Sequence, residues 1–306
     1  MPPLRAFLAA TLALFSPAIQ AESPITHSYA VFGGAELTQI ISGSGEVLWR
    51  YPASTRDGFV LPNGNLLLTL SKSKEYPGGA IVEVTRANKV VFSFKGTQSE
   101  VNTAQPLPNG NIVFTEAGGK PRLLEITREG KVVTEFPLEA QTANAHLQSR
   151  MARKLPNGHY LVPQLLDKVV REYTSEGKVV WEFMAPAEPK DCWPFSAIRR
   201  PDGQHLFNLT HGNTVVITDA EGQILWKLSN EDFPEPILKD PCGAQWLPNG
   251  NVVIACHAAK GDAIKLFEVT REKNVVWSVR DSRLTGIHTF QILDTNGVPL
   301  EGAPMK

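Results

Sequence analysis

The sequence predicts an all-β protein, a six-bladed β-propeller of four-stranded antiparallel blades closed by pairing of its N- and C-terminal strands. Three observations carry this: a hairpin motif with a period near 46 residues, a second turn signature between its copies, and incomplete units at both ends. Leu61-Pro62-Asn63-Gly64-Asn65 returns as Leu107-Pro108-Asn109-Gly110-Asn111, Leu155-Pro156-Asn157-Gly158, Arg200-Pro201-Asp202-Gly203 and Leu247-Pro248-Asn249-Gly250-Asn251, with a degenerate copy at Leu293-Asp294-Thr295-Asn296-Gly297. Apolar, β-branched runs flank each Asn-Gly, which reads as a two-residue hairpin with both central residues at positive φ.

The second signature lies about thirty residues downstream and pairs a turn with two apolar residues and usually an aromatic, as in Gly45-Glu46-Val47-Leu48-Trp49 and Gly177-Lys178-Val179-Val180-Trp181. A strand enters each of these turns, for example Ala80 to Thr85 and Leu266 to Thr270, so a unit holds four strands. The first strands, Ser28 to Gly34, Leu37 to Ser42 and Glu46 to Tyr51, are the later part of a unit, and Ile287 to Leu293 is only its beginning. Joined, they make the sixth blade and remove a free sheet edge. The Trp, Phe and Val stripe is then packing between blades.

Residues 1–21 have the layout of a secretory signal: Arg5, the apolar run Ala6 to Phe15, Pro17, and a small residue, Ala21, at the expected cut. The mature chain, 22–306, is expected to be one domain, periplasmic or secreted. Thirty basic against 31 acidic residues give a net charge of −1, which provides no global attraction to nucleic acid, and no apolar run is long enough to span a membrane. Cys192, Cys242 and Cys256 allow at most one disulfide, with Cys192 to Cys242 on adjacent blades the pair considered. No paired-cysteine metal motif or cofactor motif is present in the sequence.

These hairpins and Gly-Lys-Val-Val-Trp strands resemble the pyrroloquinoline-quinone-like repeat propellers and, in hairpin wording and blade number, the propeller of bacterial arylsulfotransferases. The resemblance spans nearly the whole mature chain and implies the fold. Quinone-dependent dehydrogenases of that superfamily have eight blades and an acidic calcium and quinone site, which this sequence lacks, so the resemblance implies no quinone cofactor. The arylsulfotransferases carry an extra N-terminal domain and channel histidines that find no one-to-one match here, so their catalytic roles are not carried over.

Propeller geometry places the hairpins at the bottom of the channel and the residues about five before each hairpin at its top mouth. That ring reads Arg56, Asn102, Arg150, Phe195, Cys242 and His288, and one position on it reads Asp57, Thr103, Met151, Ser196, Gly243 and Thr289. Gln105, Arg153, Gln245 and Gln291 come deeper in the channel or between blades. Two-residue hairpin pairing sets Cys242 opposite His257 and His211 opposite Pro194. Cys242 and His257, with His288, would then be a nucleophile with its base, part of a soft metal site, or a buried thiol beside a hydrogen-bonded imidazole, the last being the plainest. The long connections Pro137 to Ser149 and Ser229 to Asp240 belong to the top face, and the first brings His146 and Gln148 beside Arg150, Arg153 and Lys154. Such a cationic stretch suits a carboxylate, sulfate or phosphate, or pairs with neighbouring carboxylates. Asn208-Leu209-Thr210 fits a glycosylation acceptor but falls in a strand.

Three readings follow. The first is an exported binding module for a small polar or anionic molecule, a glycan or a protein partner, through Asn102, Gln105, His146, Gln148, Arg150, Arg153, Gln245, His288 and Gln291. The second is a group-transfer or lyase enzyme using His146, Arg150, His257 and His288, with Cys242 a further catalytic candidate. The third is a non-catalytic scaffold. A deep closed-bottomed pocket with at least two histidines within hydrogen-bond reach favours the enzyme; a wide or plugged channel and aromatic or apolar top loops favour a platform.

Overall fold

Apolar strands alternating with tight turns fold into six antiparallel sheets that succeed one another around a central channel, in a computed structural model that describes residues 24–34 and 37–306. The signal-like segment lies outside the described residues. Five sheets are four-stranded, with the inner strands Thr55–Val60, Glu100–Pro106, Arg153–Lys154, Cys192–Arg199 and Pro241–Trp246. The sixth sets Ile287–Thr295 against His27–Gly33, followed by Gln39–Ile41 and Val47–Arg50, with the short Val298–Pro299 added at its inner edge. The expected closure of head on tail is therefore the seam of the ring.

Apolar side chains fill the spaces between neighbouring sheets. Between the fourth and fifth, Leu206, Val215 and Ile217 pack with Trp246, Ile254 and Phe267, all nearly inaccessible to water. The outer-strand aromatics tie one blade to the next: Trp49 Nε1 donates to the Arg86 carbonyl at 2.9 Å and Trp226 Nε1 to that of Arg271 at 2.8 Å. In every outer strand the second member of the apolar pair, for instance Val91 between the pairs Val84↔Val90 and Glu83↔Phe92, is bulged out of the ladder. Such bulges twist an exposed edge away from pairing with another chain.

Five of the hairpins differ from the sequence expectation. In them only the glycine has positive φ, 82° at Gly64 and 88° at Gly250, and Leu247 N–H donates to the Asn251 carbonyl at 2.9 Å. Each of the five is a three-residue loop, a type I turn closed by a left-handed glycine, whereas the sixth, Asn296-Gly297 between Thr295 and Val298, has both central residues at positive φ as expected. A three-residue loop lets the Asn side chain fold back onto the backbone: Asn249 Oδ1 accepts from Asn251 N–H at 3.0 Å. It also shifts every cross-strand partner by one.

The asparagines have a further role that turn chemistry does not reveal. Asn63 and Asn65 donate to Glu83 at 3.5 and 2.6 Å, and Arg128 of the next blade reaches the same carboxylate at 2.5 Å. Asn111 with Lys154 and Tyr160 does this at Glu125, Asn157 with Arg199 at Glu172, and Asn249 and Asn251 with His27 at Glu268. Each buried carboxylate is thus satisfied from both its own hairpin and the adjacent blade, as burial of a charge requires.

Candidate functional site

The inner strands carry one structural feature on which the site depends. Near its top, each slips register by a residue: Val101↔Glu116 becomes Thr103↔Thr115, Pro194↔Leu209 becomes Ser196↔Asn208, and Phe32↔Thr289 becomes Gly33↔Ile287. The bulged residues are Asn102, Phe195 and His288. Corresponding slips fall at Arg56 and Asp57 and at Cys242 and Gly243. A bulge re-aims a side chain out of the alternating pattern of a strand, and here it turns the residues of the expected ring toward the mouth. At Gly243 a Cβ would stand 2.7 Å from the Thr289 backbone, so that strand approaches its neighbour only through glycine.

Bulge and hairpin together revise the pairings. Cys242 does not oppose His257; Asp240 does, its carbonyl accepting from His257 N–H at 3.0 Å. His211 opposes Cys192, not Pro194. All three cysteines are free thiols, so the Cys192 to Cys242 disulfide does not form. Burial pushes the Cys242 thiol well up, which leaves it protonated and unfit as a nucleophile. Asn208 is buried, with Nδ2 on the Cys242 carbonyl at 3.0 Å, and is closed to glycosylation.

A cavity of about 160 Å³ opens at the top mouth, lined by His146, Arg150, Trp193, Phe195, His211, Asp240, Cys242, His257 and His288 among others. Four of the six residues five before the hairpins meet there, together with His146 and His257. The His257 and His288 rings lie 4.8 Å apart between centroids, and Phe195 runs nearly parallel to His288 at 6.3 Å. Burial lowers the affinity of both imidazoles for a proton, with the neighbouring His257 acting further on His288 and Arg150 on both, while Asp240 opposes the shift at His257. Both are neutral near pH 7 and able to accept a proton. His288 Nδ1 and Trp193 Nε1 are buried without a partner.

Arg150 is the other centre of the site. It is 3% exposed, its guanidinium lies over the Phe195 ring at 5.7 Å, and its one hydrogen bond runs from Nη2 to the His146 carbonyl. Nε and Nη1 have no partner. Burial first, then the like charge of Arg56, hold it down to about 9, so it stays charged at neutral pH. Arg56 approaches from the opposite side, 3.2 Å from His146 Nδ1 and 3.3 Å from Glu100. Burial would raise Glu100, but the His146 hydrogen bond and the charges of Arg56 and Arg150 outweigh it and hold the carboxyl at about 2.

Other expected ligand residues use their polar groups inside the protein. Gln105 accepts from Lys154 N–H at 2.7 Å, Gln245 from Ile292 N–H at 2.8 Å and Gln291 from Val60 N–H at 2.9 Å, each bridging successive blades. Asn102 donates to the Ser149 carbonyl, and Gln148 holds Gly118 through both N–H and C=O. Arg153 lies below the cavity, bound to Asp57 at 3.0 Å and Thr103 at 2.7 Å. Sequence reading did not find the next participant. Residues 300–306 turn into the channel from the hairpin end, where Trp246 N–H donates to the Met305 carbonyl, and the buried Lys306 reaches Asp57 at 3.4 Å and Thr289 at 3.3 Å. The channel is therefore plugged from below and open above.

Larger depressions lie on the outer flanks. One of about 740 Å³ is lined by Thr97, Arg122 and Phe136, and its Arg122 is paired with Glu116 and Glu135. Among the described residues no three His, Cys, Asp or Glu side chains group as a metal site, and no helix is long and apolar enough to cross a membrane.

No protein-family model and no curated protein matches the chain. Solved structures do. A protein of unknown function from Bacteroides caccae is 24% identical, covers 87% of this chain and 98% of its own, with a TM-score of 0.76. A catalytically inactive histidine-to-alanine variant of virginiamycin B lyase from Staphylococcus aureus, solved with quinupristin, is 17% identical over 75% of this chain and 70% of its own, at a TM-score of 0.55. A periplasmic gluconolactonase from Pseudomonas aeruginosa is 12% identical over 90% of this chain and all of its own, at 0.60. At these identities the likeness is one of fold.

Proposed function

We propose that this protein is an enzyme of the lyase or group-transfer type, working at the top mouth on a small polar or anionic group, with His288 and His257 as the proton-carrying pair and Arg150 as the stabiliser of negative charge. The observation that carries this reading is the convergence of two neutral imidazoles and a buried, under-bonded guanidinium in one cavity above a plugged channel. A neutral histidine takes a proton, and a cation pre-positioned in a dry site stabilises the charge that develops without reorganising. The structures of similar fold include a lyase in which a histidine substitution abolishes catalysis, which is in keeping with a histidine-based site.

A volume of about 160 Å³ suits one functional group, since pockets that enclose a drug-sized ligand run to about 300 Å³ or more. The reacting end of the substrate enters, and the remainder lies across the rim formed by His146, Trp193 and His211. The signal-like layout of residues 1–21 supports an activity outside the cytoplasm. The test is a screen for elimination and ester or lactone cleavage, followed by His288→Asn and His257→Asn. Each substitution should lower turnover by about 10²- to 10⁴-fold with the fold intact. Turnover unchanged in both variants would remove the histidines from the chemistry and overturn the reading.

A further inference from the structure

Arg150 is buried and forms no ion pair among the described residues. Arg56 and Arg150 both converge on His146, one at its ring and the other at its carbonyl, and Glu100 is the carboxylate that faces them. Lys72 also reaches Glu100, but it is half exposed and screened by water. Asp240, the other acidic residue at the cavity, lies nearer His211, at 3.8 Å. Arg56, partly buried, is paired with Glu100, whereas the buried Arg150 has no carboxylate at ion-pair distance among the described residues. A charge buried without a counter-ion is unfavourable. Arg150 Nε and Nη1, Arg56 Nε, Trp193 Nε1 and His288 Nδ1 remain without partners there.

We infer that the cavity is built for a carboxylate on the substrate, seated against Arg150 with Arg56 behind it, and that the carbon bearing this carboxylate is the one that loses a proton to His288. The inference rests on the enzyme reading above and names its substrate class. One guanidinium without an ion-pair partner matches a single carboxylate and would be overshot by a phosphate dianion. A carboxylate also gives the site its chemistry. Removing a proton from the adjacent carbon places a second negative charge on the carboxylate oxygens, which is prohibitive in water and tolerable against a buried guanidinium.

The step balances without any co-reactant. His288 takes the proton, and the electron pair of the C–H bond becomes a carbon–carbon double bond. The bond from the next carbon to its oxygen substituent breaks, and that electron pair leaves with the oxygen. The proton passes from His288 through the adjacent His257 to the departing oxygen. Nothing is oxidised or reduced, and both imidazoles return to the neutral state in which burial holds them.

Sodium acetate, acetamide and sodium methyl sulfate are the probes, each titrated at constant chloride while the imidazole C–H resonances of His257 and His288 are followed by NMR. Acetate should move both saturably, acetamide should not, and Arg150→Met should weaken acetate binding by about tenfold or more, with Arg150→Lys restoring part of it. Acetate shifts that survive in Arg150→Met, or saturable binding of methyl sulfate without acetate, would overturn the carboxylate assignment. Its failure is separable from that of the enzyme reading. Loss of turnover in His288→Asn with no acetate binding would leave an enzyme for another substrate, whereas acetate binding with His288→Asn fully active would leave a carboxylate site without the proposed chemistry.

Discussion

Arg150 and Arg153 stand three residues apart on the same blade, both are buried, and they are treated in opposite ways. Arg153 donates to Asp57, Thr103, the Ala152 carbonyl and the Lys306 main-chain oxygen through Nη1 and Nε, and its Nη2 faces the Met151 sulfur at 3.8 Å. Arg150 has one carbonyl and two idle nitrogens. The lower cluster is closed by the chain's own Lys306, which sits over Phe59 at 4.1 Å and is brought down to about 7 by burial against the opposing pull of Asp57. The upper cluster opens to a cavity. A charge fully bonded within the protein holds the ring together, and a charge left short beside a cavity is kept for something that binds.

The largest effect that tests this contrast is at Asp57. Asp57→Ala would strand Arg153 and Lys306 as unmatched buried cations and should cost about 3–5 kcal/mol, read as a fall in the urea midpoint. A loss below 1 kcal/mol would mean that the lower cluster is not structural. His205 provides an intermediate case, a buried group with an idle Nε2 that lies outside the top-mouth cavity and is stacked on Trp181 at 4.6 Å. Burial lowers it to about 4. Between its unfolded value near 6.5 and this folded value, the unfolded chain binds the proton and the native one does not. Stability is thus complete above about pH 6.5 and falls toward pH 4, by about 3 kcal/mol for a shift of this size. His205→Phe, which keeps the stack, should flatten that limb of a pH–stability curve; an unchanged slope would show that other groups govern it. The smallest effect is expected at Arg150 itself. Arg150→Met removes a charge that has no internal partner, so its unfolding free energy should stay within about 1.5 kcal/mol of the parent or rise. A loss as large as that at Asp57 would erase the distinction between the two arginines.

Much of the architecture is legible from repeated residues. Asn-Gly hairpins and turn-plus-apolar pairs recur often enough to set the blade number and the closure of His27–Gly33 on Ile287–Thr295, because a period of identical turns leaves few ways to bury its strands. The Glu83, Glu125, Glu172 and Glu268 clusters were also within reach, since each Glu lies in the third strand behind an Asn-Gly hairpin, in a largely apolar run. Reading the asparagines only as turn formers concealed their second partner. The site was half visible: counting back from the hairpins brings Arg150, Phe195, Cys242 and His288 to one mouth, yet it also gathers Gln105, Gln245 and Gln291, which staple blades.

The amino-acid sequence by itself determined six units, their order and which residues crowd the upper end of the channel, because hydrophobic period and turn chemistry are local properties. The tertiary structure decided which of those polar residues remain unpaired. That depends on partners 40 to 250 positions away, such as Thr103 and Lys306 for Asp57, and on inner-strand bulges that turn His288 and Phe195 out of register. A bulge leaves no mark in an alternating pattern, and a hydrogen bond between distant segments exists only once both are buried together.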